Sequence, residues 1–139
     1  MKSVGILIGM AAAIIAGGCG TQSPAGPPDP KILGMWRTTL PAGVGPGGDG
    51  GHMTLAFNAN GTADETTDTP NHFYRVECTY TTQDGVLTQN FVSGTSSGQT
   101  YNPPGPTDTS QYAITPSTLT ISENGPNGVV QIVFQKYVP

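Results

Sequence analysis

Basic side chains are scarce in this sequence. Five Lys and Arg stand among 139 residues, and no two of them lie close together. A nucleic-acid surface needs a basic stripe, so nucleic acid drops out as a partner. Cysteine is almost absent, with only Cys19 and Cys78, and histidine is limited to His52 and His72. There is no Cys-x-x-Cys or His-x-His spacing to build a metal site, and no Gly-x-Ser-x-Gly to present a nucleophile. No apolar run is long enough to span a bilayer as a helix: the longest, Val4 to Ile15, covers twelve residues, against about 20 required. Apolar residues spaced at a helical period are missing as well. Glycine (20) and proline (13) are plentiful, and between the loops they make, apolar residues alternate with polar ones.

The N-terminus has an order of its own. Met1-Lys2 is a short positive start, Val4 to Ile15 is the apolar run, and Ala16-Gly17-Gly18-Cys19 follows. An apolar run of about 7–15 residues before small residues is the form of an export signal. With the cysteine added, the segment resembles a bacterial lipoprotein signal with its lipobox, although Ala16 stands where that family prefers Leu. The resemblance implies a signal peptide over residues 1–18, cleavage, and lipid such as palmitate on Cys19. It places the protein in the cell envelope. Gly20 is not the Asp that retains lipoproteins at an inner membrane, which points to the outer membrane facing the periplasm in a diderm cell, and otherwise to the outer face of the cytoplasmic membrane. With Cys19 lipidated, Cys78 has no intramolecular partner, and stability must come from a hydrophobic core. Residues 19–30 read as a lipidated Cys and a Pro/Gly-rich tether, and the folded domain is expected over 31–139.

Within that domain the pattern is strand after strand. Expected strands are Ile32–Thr39, His52–Asn58, Thr62–Thr67, Phe73–Thr81, Val86–Val92, Gln111–Thr115, Thr118–Ser122 and Val129–Val138. Asn60-Gly61 and Asp84-Gly85 are hairpin signals. Consecutive hairpins give an antiparallel meander, and closing it into a barrel removes exposed edges. The expected fold is therefore all-β, an eight-stranded antiparallel up-and-down barrel. Two long loops, 40–51 and 93–109, interrupt the short connections.

Gly34-Met35-Trp36 in the first strand, the segment Met53 to Thr62 ending in Phe-x-x-Asn-Gly-Thr, Thr118-Leu119-Thr120-Ile121, and Phe134-Gln135-Lys136 in the last strand together resemble the lipocalin-like (calycin) proteins, in particular short lipocalin-like domains of bacterial lipoproteins. The resemblance covers residues 31–139. It implies that Trp36 closes the barrel base with Lys136 packed over it, and that residues 40–51 form a lid over the open end. Lys136 stands where Arg is more usual, and the chain is shorter than a typical lipocalin.

The remaining chemistry-bearing residues read as structural. Gly43 to Gly48 matches Gly-x-Gly-x-x-Gly, but Pro46 interrupts it and no helix pattern follows, so it reads as a loop. Asp64, Glu65 and Asp68 lack the spacing of a calcium loop and read as a solvated strand face. His52 and His72 read as surface histidines beside loops. Cys78 shares parity with Val76 and Tyr80 and reads as a buried thiol. No nucleophile–base pair is visible, so neither catalysis nor a cofactor is expected. Two functions remain. One is a membrane-anchored, lipocalin-like binding module for a small apolar ligand, lined by Phe57, Tyr74, Tyr80, Phe91 and Tyr112. The other is a packed barrel with no small-molecule ligand, serving an envelope structure or binding an envelope protein. An eight-stranded barrel is wide enough for either a filled interior or one small ligand.

Overall fold

The computed structural model describes residues 26–43, 48–101 and 107–139. The expected signal peptide, Cys19 and the tether as far as residue 25 lie outside the described residues. Nine strands follow in order: β1 (Gly34–Leu40), β2 (Gly51–Phe57), β3 (Thr62–Asp68), β4 (Phe73–Gln83), β5 (Val86–Ser96), β6 (Gln99–Tyr101), β7 (Thr107–Ile114), β8 (Thr118–Gly125) and β9 (Gly128–Tyr137). Every pairing is antiparallel, and the ring β1-β2-β3-β4-β5-β7-β8-β9 returns to β1. The fold is a closed eight-stranded up-and-down barrel. Strand β6 is an extra short strand beside the far end of β5.

Alternation decides which side chains enter the barrel. On β2, Met53, Leu55 and Phe57 are buried while His52, Thr54 and Ala56 are not. The register carries this parity to the next strand: Phe57 faces Ala63, Leu55 faces Glu65 and Met53 faces Thr67. Leu119 and Ile121 on β8 and Phe134 on β9 complete the buried wall. Burying each such side chain contributes about 1.5–3 kcal/mol. One end of the barrel, the base, is packed with Ile32, Trp36, Leu87, Leu119 and Phe134, all almost fully buried. There Phe57 meets Tyr80 edge to face, 4.9 Å between ring centres, and the Tyr80 hydroxyl donates to the Asn58 carbonyl at 2.8 Å.

The segment 93–109 differs from the long polar loop expected. Strand β5 runs on to Ser96, and Ser97-Gly98 turns the chain back into β6. Both turn residues have positive φ, 47° at Ser97 and 87° at Gly98, the backbone a two-residue hairpin needs. This extension is polar because it lies beyond the core. Between Glu77/Cys78 and Ser93/Phe91 the β4–β5 register shifts, leaving Val92 as the extra residue of a bulge. A bulge reverses which side chains face in, so Val92 is 64% exposed while Gly94 is buried.

Contacts with the strands begin before Lys31. The Asp29 amide donates to Thr82 Oγ1 at 2.7 Å, and its carboxylate accepts from the Lys31 amide at 3.0 Å and from the Tyr112 hydroxyl at 3.0 Å. Ile32 lies in the turn this creates, ahead of β1 rather than in it, and plugs the base with none of its surface exposed.

Candidate functional site

At the base, β1 and β9 meet through only three residue pairs: Met35 with Tyr137, Trp36 with Lys136, and Arg37 with Gln135. Each side of this short ladder carries a cation on an aromatic ring. On the Trp36 side, the exposed Lys136 caps the base: its Nζ lies 4.1 Å from the centre of the buried Trp36 ring and donates to the Leu33 carbonyl. Outside, the Arg37 guanidinium lies 4.9 Å from the centre of Tyr137. Trp36 Nε1 donates to the Ile32 carbonyl at 2.7 Å, which fixes the ring. Gly34 has a physical reason to be glycine. Its φ is +104°, and a Cβ there would sit 2.9 Å from Lys136 Nζ. The glycine of Gly-x-Trp therefore leaves the path along which the lysine reaches the tryptophan.

Toward the other end the interior changes character. A cavity of about 10 Å³ is lined by Met53, Leu55, Glu65, Gln89, Ile121, Glu123, Ile132 and Phe134, which is room for about one water molecule. Two of those eight residues are carboxylic acids. Burial pushes the Glu65 carboxyl up to about 7, with the charges of Glu123 and Asp108 adding to the effect. Burial, and then Asp108, also raise Glu123 to about 7. A protonated carboxyl is the form an apolar wall tolerates. The buried Gln89 amide donates to Cys78 Sγ at 3.5 Å.

Glu65 corrects the sequence reading. Asp64, Glu65 and Asp68 do not form one solvated face. Asp64 points outward and accepts from Arg75 Nη2 at 2.7 Å and Nε at 3.0 Å, whereas Glu65 points into the barrel opposite Leu55. Glu123, Asp108 and Gln89 were missed in the same way. Each shares the parity of apolar neighbours: Glu123 with Leu119 and Ile121, Asp108 with Tyr112, and Gln89 with Leu87. Parity was the signal that could have found them.

None of the five aromatic residues read as ligand-lining borders this cavity. Phe57 and Tyr80 pack on each other at the base. Phe91 and Tyr112 pack against the core, and Tyr112 is engaged with Asp29. Tyr74 stacks on His72 near the opposite end, 6.0 Å between ring centres. His72 Nδ1 lies 3.9 Å from Asp49, which also accepts from Asn71 at 2.8 Å, so the described end of the 40–51 loop is tied to the β3–β4 turn. His52 is exposed, its Nδ1 3.5 Å from Thr39 Oγ1. Cys78 is buried, 3% exposed. Burial, only partly offset by the Gln89 contact, pushes its thiol up to about 11. Among the described residues, no group of three or more His, Cys, Asp or Glu is placed to hold a metal ion. Comparison with known proteins finds no matching family model, no matching curated protein and no matching solved structure.

Proposed function

We propose that this chain is a lipid-anchored barrel of the cell envelope that acts through its outer surface, as an interaction or structural module, with no ligand held inside. One observation carries the reading: among the described residues, the interior around Leu55, Ile121 and Phe134 is packed down to a water-sized cavity. Pockets for small molecules run to about 300–1,000 Å³, and the interior cavity has about 10 Å³, with two carboxyls on its wall. An apolar guest would have to displace Phe134, Leu55 or Ile121 and then lie against Glu65 and Glu123. The anchor in this proposal is lipid on Cys19, supported by the order of residues 1–19, and the site of action is the outer membrane in a diderm cell or the outer face of the cytoplasmic membrane otherwise. No catalytic role belongs to the proposal.

A second reading, the lipocalin-like carrier of a small apolar ligand, is favoured by the lining of the same cavity, five of whose eight residues are apolar. One titration separates the two. Trp36 is the sole tryptophan, and it stands at the base of the barrel. An apolar fluorescent fatty acid that enters the interior accepts energy from it. The packed barrel gives no saturable transfer. Saturable transfer at one probe per chain, lost when the Met53→Trp or Leu55→Trp variant fills the cavity, would overturn the outer-surface reading.

A further inference from the structure

The barrel is closed along only part of its last seam. β8 and β9 pair over the whole hairpin, from Thr118 with Gln135 to Gly125 with Gly128. β9 pairs with β1 only at Gln135, Lys136 and Tyr137. Past Arg37 the two strands separate, and residues 128–134 of β9 have no strand partner on that side among the described residues. The Lys136 amide donates to Ser117 on the β8 side. Backbone groups of successive strand residues point to opposite sides, so Val129, Gln131 and Val133 each turn one N–H and one C=O toward the open side.

Among the described residues, this edge carries no charge, no proline and no bulge. Natural edges are blunted by charge, proline or a bulge. The run Gly128-Val129-Val130-Gln131-Ile132-Val133-Phe134-Gln135 has no charge and no proline, and its pairing with β8 is unbroken. Exposed large apolar side chains also concentrate here. Val129 is 64% exposed, Val130 45% and Val133 47%.

We infer that β9 is a self-association edge, on which the β9 of a second copy of this chain pairs antiparallel about a two-fold axis at Gln131. The inference rests on the outer-surface reading and names its partner. The register is self-complementary. With Gln131 opposite Gln131, each Val129 faces the other copy's Val133 on the outer face, and the two glutamine amides meet on the axis. The residues directly opposite are those with free backbone groups, so the edges satisfy each other. Such an interface is isologous, the commonest way two identical chains meet. Charge favours the same place. The chain carries a formal −4, so copies repel, and an uncharged edge is where the repulsion is least.

The test uses the full chain in detergent micelles. Directly opposed residues of a hydrogen-bonded antiparallel pair have Cα atoms about 5.5 Å apart, within the reach of a disulfide. Gln131→Cys is expected to crosslink to itself on mild oxidation, and Thr79→Cys, on the outer face of β4, is not. Gln131→Lys is expected to weaken the dimer at least tenfold in sedimentation equilibrium, because like charges then stand face to face on the axis. Mixing Gln131→Lys with Gln131→Glu is expected to restore it as a heterodimer. A wild-type chain that stays monomeric up to about 100 µM, a range that covers ordinary weak association, overturns the inference. So does a folded Gln131→Lys variant that dimerises as the wild type does. Either result leaves the outer-surface reading intact so long as the fatty-acid titration shows no saturable transfer, whereas saturable transfer overturns that reading whatever the oligomeric state.

Discussion

Replacing Glu65 with Gln should stabilise this protein, and should do so only above acid pH. Burial, with the charges of Glu123 and Asp108, pushes the Glu65 carboxyl from an ordinary 4.5 up to about 7 in the folded barrel. It is therefore harder to ionise folded than unfolded. Below pH 4.5 the acid is protonated in both states and costs nothing. As the pH rises from 4.5 the unfolded chain releases its proton first, and the folded state is penalised increasingly until about pH 7, after which the penalty is constant. The gap from 4.5 to about 7, at about 1.36 kcal/mol per pH unit, makes the full penalty roughly 3 kcal/mol. Glutamine has nearly the same shape and is neutral at every pH. Glu65→Gln should then match the native protein at pH 4 and exceed it by about 3 kcal/mol at pH 8. Glu123, more open to solvent, retains a smaller pH dependence in the variant. Urea unfolding followed by Trp36 fluorescence at several pH values measures this directly. With a slope of about 1–3 kcal/mol/M, the midpoint at pH 8 rises by about 1–3 M. Parallel stability–pH curves for the two proteins would refute the placement of this carboxyl inside the barrel.

Three further outcomes are expected. Gly34→Ala forces a methyl against Lys136 Nζ at a φ of +104° and should cost about 1–3 kcal/mol, read as a lowered melting temperature; an unchanged melt would dissociate Gly34 from the Trp36–Lys136 contact. The Cys78 thiol, buried and raised to about 11, should resist a thiol reagent at pH 8 in the native protein and react at once in denaturant, and fast native labelling would contradict its burial. Asp29→Ala removes the acceptor for Tyr112 and Lys31 and should cost about 1–3 kcal/mol, with faster protease cutting ahead of β1; equal cutting rates would show that residues 29–32 are held by something else.

Most of the barrel was legible from alternation and turns. Asp84-Gly85 and Asn60-Gly61 fix the hairpins β4–β5 and β2–β3, and with them the facing of Phe57, Leu55 and Met53. The far half of β5 was not legible, because Ser93 to Ser96 have no apolar alternation and lie beyond the core, and because a serine at positive φ in the Ser97-Gly98 turn is not a usual hairpin signal. The acidic interior was hidden for a different reason. Glu65 was read as surface because charge favours water, Asp108 fell within the expected 93–109 loop, and Glu123 lay just past the end of the expected strand Thr118–Ser122. Yet the parity of Leu55, Ile121 and Tyr112 already assigned their direction. At Glu65 and Glu123 residue type and register disagree; burial favours the protonated carboxyl there, and register prevails. Asp29 was read as tether because prolines flank it, and only its partners Thr82 and Tyr112, far along the chain, bring it into the domain.

The three-pair seam between β1 and β9 also bears on the order of folding. Every other pairing of the ring joins strands adjacent in the chain, or nearly so, whereas this one brings Leu33 to Lys136 across 103 residues. Bringing such distant ends together in an unfolded chain costs about 3 kcal/mol more loop entropy than closing a tight hairpin. Local hairpins are expected to form first and the seam last, once the intervening strands have shortened the gap. With only three pairs, closure is also expected to be the first contact to reverse. Between those two events the chain is an open, curved sheet with β1 and β9 as its free edges. Its rate of passage through that state, more than the depth of its core, sets how long those edges are presented to other chains.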